Sequence, residues 1–316
     1  MDDFLGNRGL RERLRFLADS ERLHSCMLFE GPEGIGKSTT ATWLAMLANC
    51  EQRAEGSDAC GDCWSCRQIP KGQHPDIIHI GLDPSKTAPI ISVGQARKLI
   101  SQLTVKPFNA KHRFVIIEPA DAMTPEAANA LLKTFEDPPS QTHFILITSA
   151  PVSLLLTVRS RSQRIRFAPV SDSDLAQWLS TRGVEAPSEV ARLAEGRPGH
   201  ALTLNLDQTD DWRGLRDRFL DALALDAAGR FRYAESLCKG DRSKWIHQVE
   251  STLDAASGLL RDSLASECGA PLLYNDDRAD LVYDWAQRLG PAGIATLSVD
   301  ISNARERLQR FVSGRL

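Results

Sequence analysis

The first half of the chain alternates short apolar runs with segments of helical periodicity. The apolar runs are hydrophobic at nearly every position and rich in Ile, Val, Phe and Leu, as expected for strands that are buried on both faces of a sheet. These runs predict strands at residues 26–30, 76–80, 114–118 and 144–148. Because strands alternate with helices as far as residue 170, the pattern predicts an α/β domain, a parallel sheet with helices on both faces.

One helix between the last two of these strands has clear boundary signals. Thr124 suits the N-cap position, and Pro125 suits the first helical turn, where a backbone N–H would have no partner in any case. Pro138 and Pro139 cannot continue a helix. We therefore predict a helix from about residue 125 to residue 137.

Beyond residue 169 the strand signals fade, and from about residue 209 the chain is helical in pattern. Apolar residues recur at spacings of three and four from Ile246 to Leu264 and from Ile294 to Phe311, which predicts an apolar stripe along each of two helices. We expect these stripes to be core. The predicted domains are an α/β domain at residues 1–167, a small helical lid at 168–207 and an all-helical C-terminal domain at 208–316.

Composition narrows the function classes. With 38 Lys+Arg against 41 Asp+Glu, the net charge of −3 argues against a protein that coats nucleic acid with its whole surface. No apolar run approaches the roughly 18 residues of a membrane-spanning helix, and the acidic N-terminus lacks the apolar segment of a secretory signal. We expect a cytoplasmic protein that does not act at a membrane.

The segment from Gly31 to Ser38 matches the phosphate-binding pattern G-x-x-x-x-G-K-[ST] in full. Gly31, Gly34 and Gly36 let the backbone curl so that successive N–H groups point at phosphate oxygens. Lys37 would reach the β- and γ-phosphates, and the Ser38 hydroxyl would ligate Mg²⁺. The helix that follows adds the positive end of its dipole. ATP or ADP with Mg²⁺ is therefore the expected ligand.

Hydrolysis needs two carboxylates where the strand at residues 114–118 ends. The first ends the strand and holds the metal's water shell, and the second follows it and polarises the attacking water. Glu118 can serve the metal, but Pro119 occupies the position of the catalytic base and cannot act as one. Asp121 follows two residues later, and we do not assign it to the site. Thr39, next to Ser38, joins the predicted nucleotide-binding set. The pattern indicates a site that binds nucleotide but hydrolyses it poorly.

Four of the seven cysteines lie within seventeen residues, at Cys50, Cys60, Cys63 and Cys66. Four thiolates complete the tetrahedral shell of a structural Zn²⁺ ion and leave no open position for catalysis. An iron–sulfur cluster uses the same ligand type, although the upstream position of the first cysteine does not match the usual ferredoxin spacing. Free reduced thiols are the remaining alternative.

Taken together, these motifs resemble the AAA+ subunits of bacterial clamp loaders. The resemblance rests on the phosphate loop, the cysteine cluster, Ser160-Arg161 and the run Ala-Asn-Ala-Leu-Leu-Lys-Thr-Phe-Glu-Asp-Pro-Pro at residues 128–139. His74-Pro75-Asp76 and Leu23-His24 agree with it, and it covers most of residues 1–205. Among these subunits the chain is most similar to the delta-prime type of DNA polymerase III, with the gamma/tau motor type as the alternative.

The resemblance implies roles for single residues. Ser160-Arg161-Ser162 stands where the family has Ser-Arg-Cys, so Ser162 replaces the cysteine. In the family the arginine of this motif, here Arg161, reaches the ATP site of a neighbouring subunit. Thr148 stands at the sensor-1 position of the nucleotide site. Gly199 occupies the position of the sensor-2 arginine. Zinc in the cysteine cluster is also implied. The other arginines of this run are interpreted as charges of a surface loop and edge strand, at Arg159, Arg164 and Arg166.

The resemblance also implies partners. The C-terminal domain would form a collar that joins gamma/tau motor and delta subunits in a hetero-oligomer, and the complex would place a sliding clamp on primed DNA during replication. Two other functions stay open at this point. One is an autonomous ATPase motor, and the other is a zinc-dependent nucleic-acid-binding module, against which the near-neutral charge argues.

Overall fold

The computed structural model describes residues 5–83, 89–204, 207–238, 242–270 and 274–310. The chain divides into two compact units, the first assigned to Met1–Trp178 with Glu195–His200 and the second to Leu179–Ala194 with Ala201–Leu316. The division into three domains made from the sequence stays a prediction.

A five-stranded parallel sheet forms the centre of the first unit. Its strands are β1 (Cys26–Glu30), β2 (Ile77–Ile80), β3 (Arg113–Ile117), β4 (Thr142–Thr148) and β5 (Gln163–Arg166). They lie side by side in the order β2-β3-β4-β1-β5. The four predicted strands are confirmed, with boundaries that shift by at most two residues, and β5 adds an edge strand within the arginine run.

Helices cover both faces of this sheet, because successive residues of a strand point to opposite sides. Met27 and Phe29 of β1 belong to one apolar cluster, and Leu28 belongs to the other. The first cluster includes buried residues of α1 (Arg8–Asp19), α2 (Lys37–Asn49) and α3 (Trp64–Gln68). The second includes buried residues of α4 (Val93–Leu103), α5 (Pro125–Glu136) and α6 (Leu156–Arg159). The predicted α/β class is thereby confirmed.

Helix α5 begins and ends as its sequence predicts. The Thr124 hydroxyl accepts a hydrogen bond from the Ala127 N–H at 3.2 Å, and Pro125 occupies the first turn. The last turn is held in the core by Phe135, which is 1% exposed and packs edge-on against Phe144 with ring centroids 5.1 Å apart. This packing fixes the backbone of the final helical residue, Glu136.

The rest of the described chain is helical. It contains α7 (Asp172–Ser180), α8 (Pro187–Ala194), α9 (Pro198–Thr203), α10 (Asp207–Leu223), α11 (Ala227–Leu237), α12 (Arg242–Glu267) and α13 (Ala279–Arg310). Helix α13 is interrupted at Gly290, which has a positive φ of 61° and precedes Pro291. Within the described residues no helix is both long and apolar enough to cross a membrane.

The two apolar stripes of the C-terminal helices differ in burial. Along α12 the stripe is buried at Ala256 and Leu260 and becomes exposed at Leu264. Along the described part of α13, Ile294 is buried, Ile301 and Leu308 are half-buried, and Leu297 is exposed. Ala304 is exposed as well, and Phe311 lies outside the described residues. The expectation that the second stripe is core is therefore met only in part among its described residues, since spacing defines a helix face but not what covers it.

Candidate nucleotide and metal sites

The phosphate loop connects β1 to α2 and depends on its glycines. Gly31, Gly34 and Gly36 have φ values of 154°, 76° and 96°, a range that other residues rarely adopt. A Cβ on Gly31 would lie 2.8 Å from the carbonyl oxygen of Phe167. The three glycines therefore give the loop the left-handed backbone turns, free of a Cβ at these positions, that a phosphate cradle needs.

Lys37 is buried inside this loop. Its Nζ donates hydrogen bonds to the carbonyl oxygens of Gly31, at 2.6 Å, and Pro32, at 2.7 Å. Burial lowers the pKa of Lys37, and the nearby carboxylates of Glu118 and Asp121 oppose this effect. The ammonium group is thus already in place, and a bound phosphate would compete with the loop carbonyls for it.

Ser38 and Glu118 come together although 80 residues separate them in the chain. The Ser38 hydroxyl donates a hydrogen bond to Glu118 Oε1 at 2.5 Å. Both side chains are exposed, as is Thr39 beside Ser38. A hydroxyl next to a carboxylate supplies the oxygen ligands that Mg²⁺ prefers. These residues therefore fit a nucleotide-bound magnesium ion.

Asp121 also belongs to this site, although the sequence analysis did not assign it. Thr148, at the end of β4, is buried and donates its hydroxyl hydrogen to the Asp121 carboxylate. Asp121 lies in a short turn after β3 and acts electrostatically on Lys37. Because the carboxyl ends of parallel strands meet at one sheet edge, a second carboxylate soon after β3 was the signal that could have found it.

Gly199 lies against the phosphate loop and leaves no room for a side chain. Its N–H donates a hydrogen bond to the carbonyl oxygen of Gly34 at 2.7 Å. A Cβ on Gly199 would lie 2.9 Å from that same oxygen, and a Cβ on Gly34 would lie 2.8 Å from the backbone nitrogen of His200. In this packing an arginine cannot occupy the Gly199 position. Arg197, two residues earlier, pairs with Glu195 at 3.6 Å.

Arg161 lies just beyond α6 with its side chain 34% exposed. Its Nε donates a hydrogen bond to Glu136 Oε1 at 2.5 Å, and its Nη1 donates to the carbonyl oxygen of Thr157 at 3.1 Å. Within the described residues, no hydrogen bond joins Arg161 to the phosphate loop. The arginine therefore has no partner in its own chain's nucleotide site.

The arginines on β5 have a different environment. Arg164 and Arg166 donate from Nε to the two carboxylate oxygens of Glu30, at 2.9 and 2.8 Å. Glu30 ends β1, and its side chain is only 5% exposed. Although burial opposes its charged form, the two arginines hold the pKa of Glu30 below its usual value. These two arginines anchor the edge strand, in agreement with their structural interpretation.

The four cysteines of the predicted cluster lie together. Their Sγ atoms all fall within 4.8 Å of one another, so the cluster could hold a metal ion. Cys60 Sγ accepts hydrogen bonds from the N–H groups of Asp62, at 3.4 Å, and Cys63, at 3.3 Å, which lower the pKa of Cys60 to about 7. Burial raises the pKa of Cys66. One sulfur poised as a thiolate beside three others is a donor set that suits Zn²⁺.

The segment between Cys50 and Cys60 is tied to the sheet-covering helices. Asp58 accepts hydrogen bonds from Arg15 Nη2 of α1 at 2.6 Å and from Trp43 Nε1 of α2 at 3.0 Å. Arg53 pairs with Asp19 at the end of α1. A metal ion in the cysteine cluster would therefore brace a segment that already has fixed anchors.

Comparison with known proteins places these sites in a family. A family model described as "DNA polymerase III, delta subunit" matches residues 6–171. The DNA polymerase III subunit delta' of Escherichia coli (strain K12) is 31% identical, over 94% of this chain and 86% of that protein. The chain belongs to the delta-prime family of DNA polymerase III. The resemblance inferred from the sequence motifs is thereby confirmed.

The chain is also similar to a DNA polymerase III subunit of a different name. The DNA polymerase III subunit tau of Bacillus subtilis (strain 168) is 28% identical, over 80% of this chain and 45% of that protein. A solved structure of a gamma subunit-related protein from Thermotoga maritima covers 93% of this chain and 99% of that chain, at 17% identity and a TM-score of 0.40. Because the chain is similar to both delta' and tau, the choice between the two subunit types rests on the residues of the nucleotide site.

The structure brings most of the predicted residues together in this delta-prime chain. The phosphate loop, Glu118 and Thr148 share the carboxyl edge of the sheet, and the four cysteines form one cluster. Arg161 lies outside both groups. The roles assigned to these residues stay predictions. Asp121 and Glu136 were missed, and both contact a predicted site residue.

Proposed function

We propose that this protein is a delta-prime-type subunit of the clamp loader that lends Arg161 to the ATP site of a neighbouring subunit. The observation that carries the proposal is the placement of Arg161, on the surface and apart from its own phosphate loop. A guanidinium supplied across an interface stabilises the charge on a transferring phosphoryl group. In its complex, the subunit helps load the sliding clamp onto primed DNA.

The chain segment that leads to Arg161 carries exposed apolar side chains, which supports contact with another protein. Val152 and Leu156 lie within ten residues of it in sequence, and they are 81% and 74% exposed. Large apolar side chains that face solvent are typical of interaction sites when they lie close together. A motor subunit of the gamma/tau type is the proposed partner here, with delta elsewhere in the hetero-oligomer.

The nucleotide site supports binding more than turnover. Lys37, Ser38 and Glu118 would hold the phosphates and Mg²⁺ of ATP or ADP. Pro119 supplies no base, and Gly199 supplies no arginine and has no space for one. The chain therefore binds nucleotide weakly or without hydrolysis, and Zn²⁺ in the cysteine cluster is structural. The cytoplasmic location stays a prediction.

We expect Arg161→Ala to slow ATP hydrolysis at the adjoining site by about tenfold or more, because an arginine finger contributes to transition-state charge stabilisation. The variant subunit is reconstituted with motor and delta subunits, and DNA-stimulated phosphate release is followed by stopped flow. Assembly, measured by size exclusion, should not change. Arg166→Ala is the matched control, since Arg166 is 75% exposed and bonded to Glu30. Turnover equal to that of the unmodified complex would refute the finger role.

The second candidate is an autonomous ATPase motor of the gamma/tau type. The intact Lys37 and the contact between Ser38 and Glu118 favour it. We expect phosphate release by the isolated chain to stay near background, because Pro119 stands at the position of the catalytic base and the Asp121 carboxylate is engaged by the Thr148 hydroxyl. The sensor-2 arginine is also missing, since Gly199 stands at its position. The measurement compares the isolated chain with its Lys37→Ala variant. Robust hydrolysis that disappears in Lys37→Ala would establish the motor instead.

A further inference from the structure

Glu136 and Arg161 meet on the surface of the α/β domain. Glu136 is the last residue of α5, and Arg161 follows α6 by two residues. The carboxylate accepts a hydrogen bond from Arg161 Nε at 2.5 Å, and the two side chains are 51% and 34% exposed. On the other side, the carbonyl oxygen of Thr157 accepts from Nη1 at 3.1 Å.

These contacts restrain one part of the guanidinium and leave another free. A guanidinium has five N–H donors in a rigid plane. Glu136 and Thr157 use donors on Nε and Nη1, and Nη1 also lies 3.5 Å from the Ser160 hydroxyl. Within the described residues, Nη2 has no hydrogen-bond partner. The free edge of the group is therefore available to an anion outside this chain.

We propose that Glu136 is a positioning residue for Arg161, whose guanidinium it holds with the Nη2 edge directed toward the triphosphate of the neighbouring subunit. This inference rests on the function proposed above, because it gives Arg161 the role of a finger. Glu136 touches neither nucleotide nor reacting atoms and acts through Arg161.

The anchor of the carboxylate suits this role. Phe135 fixes the end of α5 in the core, so Glu136 projects from a rigid backbone. An exposed ion pair contributes little to the stability of a folded chain. The ion pair with Glu136 instead removes alternative conformations of the long Arg161 side chain before the partner subunit binds. This preorganisation favours catalysis. Removal of the Glu136 carboxylate should therefore slow ATP hydrolysis in the complex and leave the stability of the folded chain unchanged.

Charge and geometry make separable contributions. The negative carboxylate weakens the positive potential of the guanidinium, so a purely electrostatic view predicts faster hydrolysis when Glu136 is neutralised. Positioning predicts slower hydrolysis when the acceptor is removed. Glutamine retains an oxygen that accepts from Nε but has no charge, whereas alanine has neither. The two substitutions therefore distinguish the two effects.

The test uses the complex reconstituted with motor and delta subunits. We expect Glu136→Ala to lower kcat for DNA-stimulated ATP hydrolysis by about three- to tenfold, with KM for ATP unchanged, because the interaction acts in the transition state. Glu136→Gln should stay within about twofold of the unmodified protein on the same grounds. Asp137→Ala, at the adjacent exposed carboxylate, is the control and should have no effect. Thermal unfolding of the isolated Glu136→Ala chain should be unchanged.

A double-mutant cycle separates this inference from the function on which it rests. In an Arg161→Ala background, Glu136→Ala should cause no further loss. If Arg161→Ala slows hydrolysis but Glu136→Ala is as fast as the unmodified protein or faster, the positioning role is wrong and the finger role survives. If Arg161→Ala has no effect, the proposed function itself fails. Should Glu136→Ala not assemble, Glu136→Lys replaces it, with the same expected loss and the same refuting result.

Discussion

The double substitution Cys60→Ser with Cys63→Ser should remove the bound metal and open the cysteine segment. The unmodified chain should contain one zinc ion, and the variant none, as measured by inductively coupled plasma mass spectrometry. Zinc binding is worth about 10–16 kcal/mol in small zinc-binding peptides, so its loss releases the segment that it orders. Amide hydrogens in residues 50–68 should exchange on the order of 100-fold faster, as followed by mass spectrometry.

Cys268→Ser is the matched control for this prediction, because Cys268 is exposed and lies outside the cluster. It should leave both metal content and hydrogen exchange unchanged. Iron in place of zinc in the purified chain would favour the iron–sulfur alternative. A double variant that still bound one zinc ion would show that the ion lies elsewhere, and the predicted centre would be wrong.

Opening of the cysteine segment should stay local. Asp58 is bonded to α1 and α2 independently of the metal, through Arg15 and Trp43. The phosphate loop lies at the opposite end of α2, where Gly36 is its N-cap. A zinc ion bound by the four cysteines would therefore stabilise the region after α2 without shaping the nucleotide site, as a structural ion would.

The sequence predicts those features whose signal is local. Four strands were located because each is a run of apolar residues. β5, Gln-Arg-Ile-Arg, has one buried apolar residue, Ile165, so its arginines indicated an edge strand without fixing its bounds. The glycines and Lys37 of the phosphate loop and the four cysteines are also defined by short spacings. In both cases the residues that act together are neighbours along the chain, so the pattern contains the information.

Features that depend on strand register or on packing were not predictable in this way. The pair of Thr148 with Asp121 spans 27 residues, and that of Arg161 with Glu136 spans 25. Such pairs form because separate elements end at the same edge or surface of the domain. The position of Asp121 soon after β3 was a signal for its place at the sheet edge, but no comparable signal connects Glu136 with Arg161. The contact of Gly199 with Gly34 is a similar case, since nothing in either glycine indicates the other.

Asp76 makes several contacts with residues that lie more than 30 positions away in the chain. Its carboxylate is 3% exposed and accepts hydrogen bonds from the N–H groups of Phe108, Asn109 and Ala110, at 2.8, 2.9 and 2.9 Å. The buried guanidinium of Arg113 lies 3.6 Å from it. One side chain therefore fixes the loop that leads into β3 and neutralises a buried charge.

We expect Asp76→Ala to lower the free energy of unfolding by about 3–5 kcal/mol, because removing one partner leaves the other buried charge uncompensated. Three backbone N–H groups would also lose their acceptor. Urea denaturation followed by circular dichroism measures the change. Asp137→Ala removes an exposed carboxylate and is the control, with an expected change of less than about 0.5 kcal/mol. A loss below about 1 kcal/mol for Asp76→Ala would contradict the role assigned to its charge.

The difference in free energy of unfolding between the unmodified chain and Asp76→Ala should depend on pH, which provides a second, independent check. Although burial opposes the charged form, the three N–H groups and Arg113 hold the pKa of Asp76 below its ordinary value of 3.8. A carboxyl group with a lowered folded-state pKa contributes stability above its unfolded pKa and loses it as the pH falls through the folded-state value. The advantage of the unmodified chain over Asp76→Ala should therefore be constant from neutral pH to about pH 5 and shrink below about pH 4. An advantage that grew on acidification would mean that Asp76 is protonated in the folded chain, and the loop would then be held by a neutral group.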